Sequence, residues 1–176
     1  MTSMNVVKDS FVLIAIISIT IQAQDTPQQL PSFEQINEQQ LPLPPFLVNA
    51  SAESRRQFFS IAYNPNLKIA DLNEQLEQWA HKQPKDVQDA YNQQVDAQKR
   101  MEAMMVTERN KLVQALPADA QAVAKQLDEI RENLQLTANQ QMQQVTKVLY
   151  NTTPAIRQQL THVDEQLGQM LQKLQQ

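Results

Sequence analysis

Two prolines bound the longest stretch of the sequence that contains no helix breaker. Pro84 and Pro117 enclose a segment without glycine or further proline and with few β-branched residues. Proline suits the first turn of a helix and breaks its interior, so Gln83 to Leu116 predicts one long helix that begins at Pro84. A helix of about 33 residues extends roughly 50 Å, which is longer than a small domain is wide. Its apolar residues lie near its two ends, so we expect each end to pack against a different part of the chain.

Two shorter helices are predicted before the long one. The first runs from Ala52 to about Ala62, with Ser51 as its N-cap, and Asn64-Pro65-Asn66 breaks the chain after it. We expect its buried side to consist of Phe58, Phe59 and Ile61. The second helix ends at Gln83 and has one apolar face, because its large apolar residues recur at helical spacing: Ile69, Leu72, Leu76 and Trp79.

Three further helices are predicted after Pro117. Helix four has an apolar stripe formed by Ala120, Val123, Ala124, Leu127, Ile130 and Leu134. Helix five is capped by Thr137 and carries Ala138, Met142, Val145, Val148 and Leu149. Helix six opens at Thr153-Pro154, and its apolar residues follow a heptad pattern: Ile156, Leu160, Val163, Leu167, Met170 and Leu174. That seam fits an internal bundle helix and also a coiled-coil contact with a second copy of the chain.

The pattern as a whole predicts an all-α fold, a bundle of about six helices in which two helix-loop-helix units are joined by the long central helix. A faint internal repeat supports the two units. Asn66-Leu67-Lys68-Ile69-Ala70 matches Asn133-Leu134-Gln135-Leu136-Thr137, and each motif lies between two amphipathic helices. The distance from the motif to the next helix-opening proline differs by three residues between the two halves.

The N-terminus has the features of a secretory signal. Lys8 precedes an apolar run from Phe11 to Ile21 that is too short to span a bilayer, and Ala23 ends an acceptable cleavage site. We therefore predict a signal peptide over residues 1–23, with a retained membrane anchor as the alternative. Residues 24–48 are rich in proline and glutamine and predict an extended leader, followed by a helical domain over residues 49–176. The expected location is extracellular, where a chain without cysteine must be stabilised by packing alone.

Charge and motif content disfavour several function classes. The net charge of -4 and the pI of about 5.2 give no basic surface for nucleic acid. No phosphate-binding loop, zinc-protease motif or nucleophile elbow is present, and the imidazole bases are limited to His81 and His162. We expect a protein that is not an enzyme, binds no nucleic acid and stays out of the membrane after signal cleavage.

Two loops carry oxygen ligands that invite comparison with a calcium-binding loop. Asn64 and Asn66 stand at the first and third places of one loop, but lysine, isoleucine and glutamine follow at places where calcium loops use carboxylates and glycine. The other loop is preceded by Asp128, Glu129 and Glu132, with Arg131 among them. Solvated charges at helix ends explain both sets equally well.

Two sequons are candidate glycosylation sites. Asn49 begins the first, Asn49-Ala50-Ser51, and Asn151 begins the second, Asn151-Thr152-Thr153, which a proline follows. Both stand at predicted helix starts, where the same residue types act as caps. Capping alone therefore remains the alternative for both.

The segment PPFLVNASAESRRQFFSIAYNPNLKIADLNEQLEQWAHKQPKDVQDAYN resembles the core of the SXP/RAL family of secreted nematode antigens. The likeness continues through LPADAQAVAKQLDEIRENLQLT and covers roughly Pro44 to Leu160. It implies a secreted all-α antigen or allergen without established enzymatic activity, and an association with divalent cations through an EF-hand-like helix arrangement. The positions that would then bind calcium or magnesium are Asn64, Asn66 and Asp71, or Asp128, Glu129 and Glu132. We expect no other cofactor, and a dissociation constant no tighter than roughly 10⁻⁴ M.

Three functions remain compatible with the sequence. The first is a secreted antigen or binding module that acts through its surface on an unidentified extracellular or host partner. The second is a carrier of small apolar ligands, with a cavity lined by methionines: Met101, Met104, Met105, Met142 and Met170. The third is a self-associating structural protein built on helix six. Because that seam is short and contains Gly168, we expect a monomer or a weak homodimer.

Overall fold

The computed structural model describes residues 43–174, and this part of the chain is all-α, as the sequence predicts. A short 3-10 helix over Pro45–Leu47 comes first. Six α-helices follow: α1 (Ala52–Ala62), α2 (Ile69–His81), α3 (Lys85–Gln114), α4 (Ala118–Arg131), α5 (Ala138–Tyr150) and α6 (Pro154–Leu174). The predicted signal peptide and residues 24–42 of the predicted leader lie outside the described residues.

The chain divides into two compact units, which we call unit 1 and unit 2. Unit 1 ends at Lys99 and unit 2 begins at Arg100, so the division falls within α3. Unit 1 contains the helix-loop-helix pair α1 and α2 with the first half of α3. Unit 2 contains the second half of α3, the pair α4 and α5, and α6. The two predicted helix-loop-helix units are both present.

An aromatic cluster fills the core of unit 1. Trp79 is 3% exposed, and its ring makes edge contacts with Phe58 at 5.0 Å and with Tyr91 at 5.9 Å between centroids. The predicted face of α2 is buried as expected, through Ile69, Leu72, Leu76 and Trp79. Phe58 and Phe59 are also buried, whereas Ile61 is only half-buried. A buried polar group completes the core, since the Ser54 hydroxyl donates to the amide oxygen of Gln83.

The 3-10 helix places the end of the predicted leader inside this core. Phe46 is 2% exposed and Leu47 is fully buried, and the Phe46 ring contacts Tyr91 at 5.3 Å. Arg55 holds the segment in place, because its guanidinium donates to the carbonyl oxygens of Leu47 and Val48 at 2.9 and 2.7 Å. The boundary predicted at residue 48 is therefore too late, because these apolar residues pack as part of unit 1.

The core of unit 2 is aliphatic. Ala124 and Leu127 of α4 pack with Leu160 of α6, and half-buried residues from α3 and α5 surround them. Val163 and Leu167, which belong to the predicted heptad seam, are also buried within the chain itself. Most of the seam is thus an internal bundle contact. Leu134, assigned to the stripe of helix four, lies in the loop beyond Arg131, where α4 ends.

A recurring hydrogen-bond pattern connects consecutive elements. The carbonyl groups at the end of a helix have no partner within it. In five of the six α-helices, the fourth residue donates side-chain N–H groups to carbonyl oxygens of the segment just before, at 2.7 to 3.4 Å: Arg55, Gln88, Gln121, Gln141 and Arg157. These contacts account for part of the abundant glutamine.

The two units repeat each other with an offset of 69 residues. α2 and α5 begin and end 69 residues apart, and so do the starts of α3 and α6. In each loop an asparagine side-chain oxygen accepts the backbone N–H two residues on, Asn64 from Asn66 at 3.0 Å and Asn133 from Gln135 at 3.1 Å. The register predicted from the sequence, which paired Asn66 with Asn133, is therefore wrong by two residues.

Candidate functional site

An open groove of about 840 Å³ lies on unit 2, along α4 and α5 and the turn that leads into α6. Four apolar side chains line it: Val123, Ile130, Val148 and Ile156. Its polar lining consists of Gln126, Glu129, Asn133, Gln144, Lys147, Asn151, Thr152 and Thr153. A concave surface with an apolar base and a few polar groups is typical of a small-molecule site. None of the five methionines proposed to line a cavity belongs to this groove, and all five are half-buried.

The loop of unit 1 uses its candidate ligands for its own turn. The side-chain oxygen of Asn64 accepts the Asn66 N–H, so Asn64 stabilises the approach to α2. Asp71 lies exposed in the first turn of α2, where a carboxylate interacts favourably with the helix dipole. The three residues are close in sequence, and the structure shows a turn-forming role for the two asparagines.

Two arginines compete for the best carboxylate of unit 2. The Arg109 guanidinium donates to Asp128 at 2.6 Å, and Arg131 lies 3.5 Å from the other oxygen of the same carboxylate. Glu129 and Glu132 are exposed at the end of α4. A cation at Asp128 would have to displace charge-assisted hydrogen bonds, which are stronger than those between neutral groups.

A fourth charge, Asp164, belongs to this cluster. Burial raises the pKa of the Asp164 carboxyl, while Arg131 and Arg109 act in the opposite direction. Asp164 is exposed as a whole residue, so this desolvation is partial. Burial also lowers the pKa of Arg131, with Arg109 as the next contribution. With the offset of 69, the corresponding positions in unit 1 are apolar: Phe59, Ala62 and Val95.

Gln141 occupies the point where carbonyl oxygens of the α4–α5 loop converge. Its amide nitrogen donates to Ile130, Arg131 and Asn133 at 3.1, 2.9 and 3.3 Å. The side chain is 4% exposed, and its own oxygen is buried without a hydrogen-bond partner. These carbonyl oxygens, which are the type of ligand that calcium uses, already accept hydrogen bonds from an amide. The donor set of this loop therefore does not fit a tight calcium site.

The remaining candidates lie at the surface. Within residues 43–174, no group of three or more histidine, cysteine, aspartate or glutamate side chains is arranged to hold a metal ion. Asn49 is exposed and its amide donates to Asp86 at 3.1 Å, and Asn151 is exposed as the C-cap of α5 at the edge of the groove. His81 and His162 are exposed and belong to different units.

The groove, Arg109 and Gln141 are the features that the sequence analysis missed. A signal for the groove was present, because the correct repeat register pairs Val148 with Trp79 and so exposes a large difference in side-chain volume. Nothing in the sequence distinguished Gln141 from the other glutamines, since its burial depends on the path of the preceding loop.

Comparison with known proteins identifies the family. The chain matches the family model described as "SXP/RAL-2 family protein Ani s 5-like, metal-binding domain" over residues 8–168. A search of the curated proteins and a search of the solved structures each found no match. The family match spans nearly all of the 176 residues and includes every helix except the last residues of α6. The chain therefore belongs to the SXP/RAL-2 family.

Proposed function

We propose that this protein is a secreted, non-enzymatic binding protein that acts outside the cell through its surface, and that the groove of unit 2 is its main binding surface. The family match makes it a nematode antigen-type protein. The observation that carries the binding role is the groove itself, which combines an apolar base with polar groups at its edge. Its partner is an unidentified extracellular or host molecule.

Secretion is supported by the family, whose members are secreted nematode antigens, and by the N-terminal pattern. No helix within residues 43–174 is long and apolar enough to cross a membrane. The test is expression of the full chain in insect cells. We expect the protein in the medium with Gln24 as its first residue. Recovery in the membrane fraction with residues 1–23 intact would contradict secretion.

The same product tests glycosylation. Asn49 and Asn151 are both exposed, and we propose glycosylation at Asn49, because the proline after the second sequon disfavours Asn151. Enzymatic removal of N-glycans should lower the apparent mass of the secreted protein, and Asn49→Gln should abolish that change. An unchanged mass in the wild-type protein would leave capping and hydrogen bonding as the roles of these residues.

Divalent cations, which the name of the family model suggests, would bind weakly at most. We propose a dissociation constant for calcium or magnesium no tighter than roughly 10⁻⁴ M. The turn-forming role of Asn64 and the arginines beside Asp128 support this limit. Isothermal titration calorimetry decides it: micromolar binding that is lost in Asp71→Ala or Glu132→Ala would contradict the proposal.

Carriage of small apolar ligands is a second candidate, favoured by the apolar base of the groove. A fluorescent fatty acid that binds in the groove should be displaced by unlabelled ligand and should not bind when the groove is filled. If the fluorescent fatty acid does not bind at micromolar protein concentrations, this candidate loses its support for aliphatic ligands.

A further inference from the structure

The internal repeat shows what fills the equivalent of the groove in unit 1. With the offset of 69, Val148 of α5 corresponds to Trp79 of α2, and Val123 of α4 corresponds to Ser54 of α1. The third apolar residue at this end of the groove, Ile156, corresponds to Val87. The two units thus share a backbone arrangement at this place but differ by the volume of an indole ring.

In unit 1 the indole is an integral part of the packing. Trp79 is almost completely buried, and its ring N–H donates to the carbonyl oxygen of Ser54 at 3.0 Å. In unit 2 the valine that replaces it is half-buried and lies on the wall of the groove, together with Val123 and Ile156. An apolar space opens where unit 1 holds a planar aromatic ring.

The charges at the edge of the groove differ between its two ends. Lys147 precedes Val148, is exposed, and makes no ion pair within residues 43–174. Glu129 lies in the last turn of α4. Because a short loop joins α4 and α5, the two helices are antiparallel neighbours, and Glu129 lies toward the loop while Lys147 lies toward the α5–α6 turn. The apolar end of the groove is therefore the cationic end.

We propose that this groove binds a small planar aromatic carboxylate, with the ring against Val123, Val148 and Ile156 and the carboxylate facing Lys147. The proposal rests on the groove being the binding surface assigned above, and it names the class of ligand. The ring is inferred from the indole that the same arrangement holds in unit 1. The negative charge is inferred from the lysine, which is available for an anionic partner.

The test is titration of the full chain with indole-3-acetate, followed by isothermal titration calorimetry and saturation-transfer NMR. Val148→Trp should supply the ring from the protein itself and weaken binding at least about tenfold, since the ligand then loses the burial of its ring. Val106→Trp is the matched control, because Val106 is 51% exposed on α3 and should leave binding unchanged.

A second pair of variants tests the charge. Lys147→Gln should weaken the binding of indole-3-acetate about two- to fivefold, as expected for an exposed ion pair, and leave the binding of neutral indole unchanged. Lys125→Gln, at an exposed position of α4 outside the groove, should change neither. This pair keeps the test decisive if Val148→Trp does not fold, which circular dichroism will show.

Two results would overturn the proposal. The first is the absence of binding by the wild-type protein at millimolar indole-3-acetate. The second is equal binding by the wild-type protein and a folded Val148→Trp variant. If octanoate binds and Val148→Trp abolishes that binding while indole-3-acetate does not bind at all, the aromatic class is wrong but the groove remains the binding surface.

Discussion

Trp79→Ala should remove the centre of the unit 1 core. The indole is 3% exposed, lies between Phe58 and Tyr91, and donates a hydrogen bond to Ser54. Replacing a buried tryptophan by alanine costs about 3 to 5 kcal/mol of unfolding free energy, and the lost hydrogen bond contributes about 1 kcal/mol of that loss. Domains are stable by only about 5 to 15 kcal/mol, so we expect unit 1 to be largely unfolded.

Urea denaturation followed by far-UV circular dichroism is the suitable assay, because Trp79 is the only tryptophan and its fluorescence is lost with it. Two compact units need not unfold in one transition, so the transition of unit 1 should shift while that of unit 2 persists. Tyr150→Ala is the control, since that aromatic residue is 81% exposed and its loss should change stability by less than about 0.5 kcal/mol. An unchanged unfolding curve for Trp79→Ala would refute the packing described for unit 1.

Further predictions concern Gln141, the N-terminal segment and association. Gln141→Glu should destabilise the protein by roughly 3 kcal/mol at neutral pH, because a carboxylate would face carbonyl oxygens. Thermal melts should show stability returning as pH falls, since protonation removes that charge. A chain that begins at Ser51 should melt at a lower temperature than one that begins at Leu43, because the shorter chain lacks Phe46 and Leu47. Sedimentation velocity should show a monomer or weak dimer, and a tight dimer at nanomolar concentration would contradict the burial of the α6 seam.

Helical periodicity and capping residues predicted most of the fold. The sequence located the N-caps Ser51 and Thr137, and the structure shows both accepting the expected backbone N–H, at 3.1 and 3.2 Å. These signals are local, because a cap and an apolar stripe are determined within one or two helical turns. The end of the leader was missed for the opposite reason: Phe46 and Leu47 are buried by contacts with Arg55 and Tyr91, which lie further along the chain.

The binding surface was harder to predict than the helices. Methionine was taken as the sign of a cavity, but the groove arises from the absence of a large side chain at Val148. That absence is visible only against Trp79, and only when the repeat is aligned through the backbone turns at Asn64 and Asn133. Matching similar letters instead placed Asn66 opposite Asn133 and concealed the comparison.

The central claim is that the groove of unit 2 is the surface at which this protein binds its ligand. The most direct measurement is a ¹H–¹⁵N NMR titration of the labelled chain with indole-3-acetate. We expect the largest shift changes at Val123, Lys147, Val148 and Ile156, with the amides of unit 1 unaffected. Changes centred on unit 1 or on the far end of α6, or no changes at millimolar ligand, would contradict the claim.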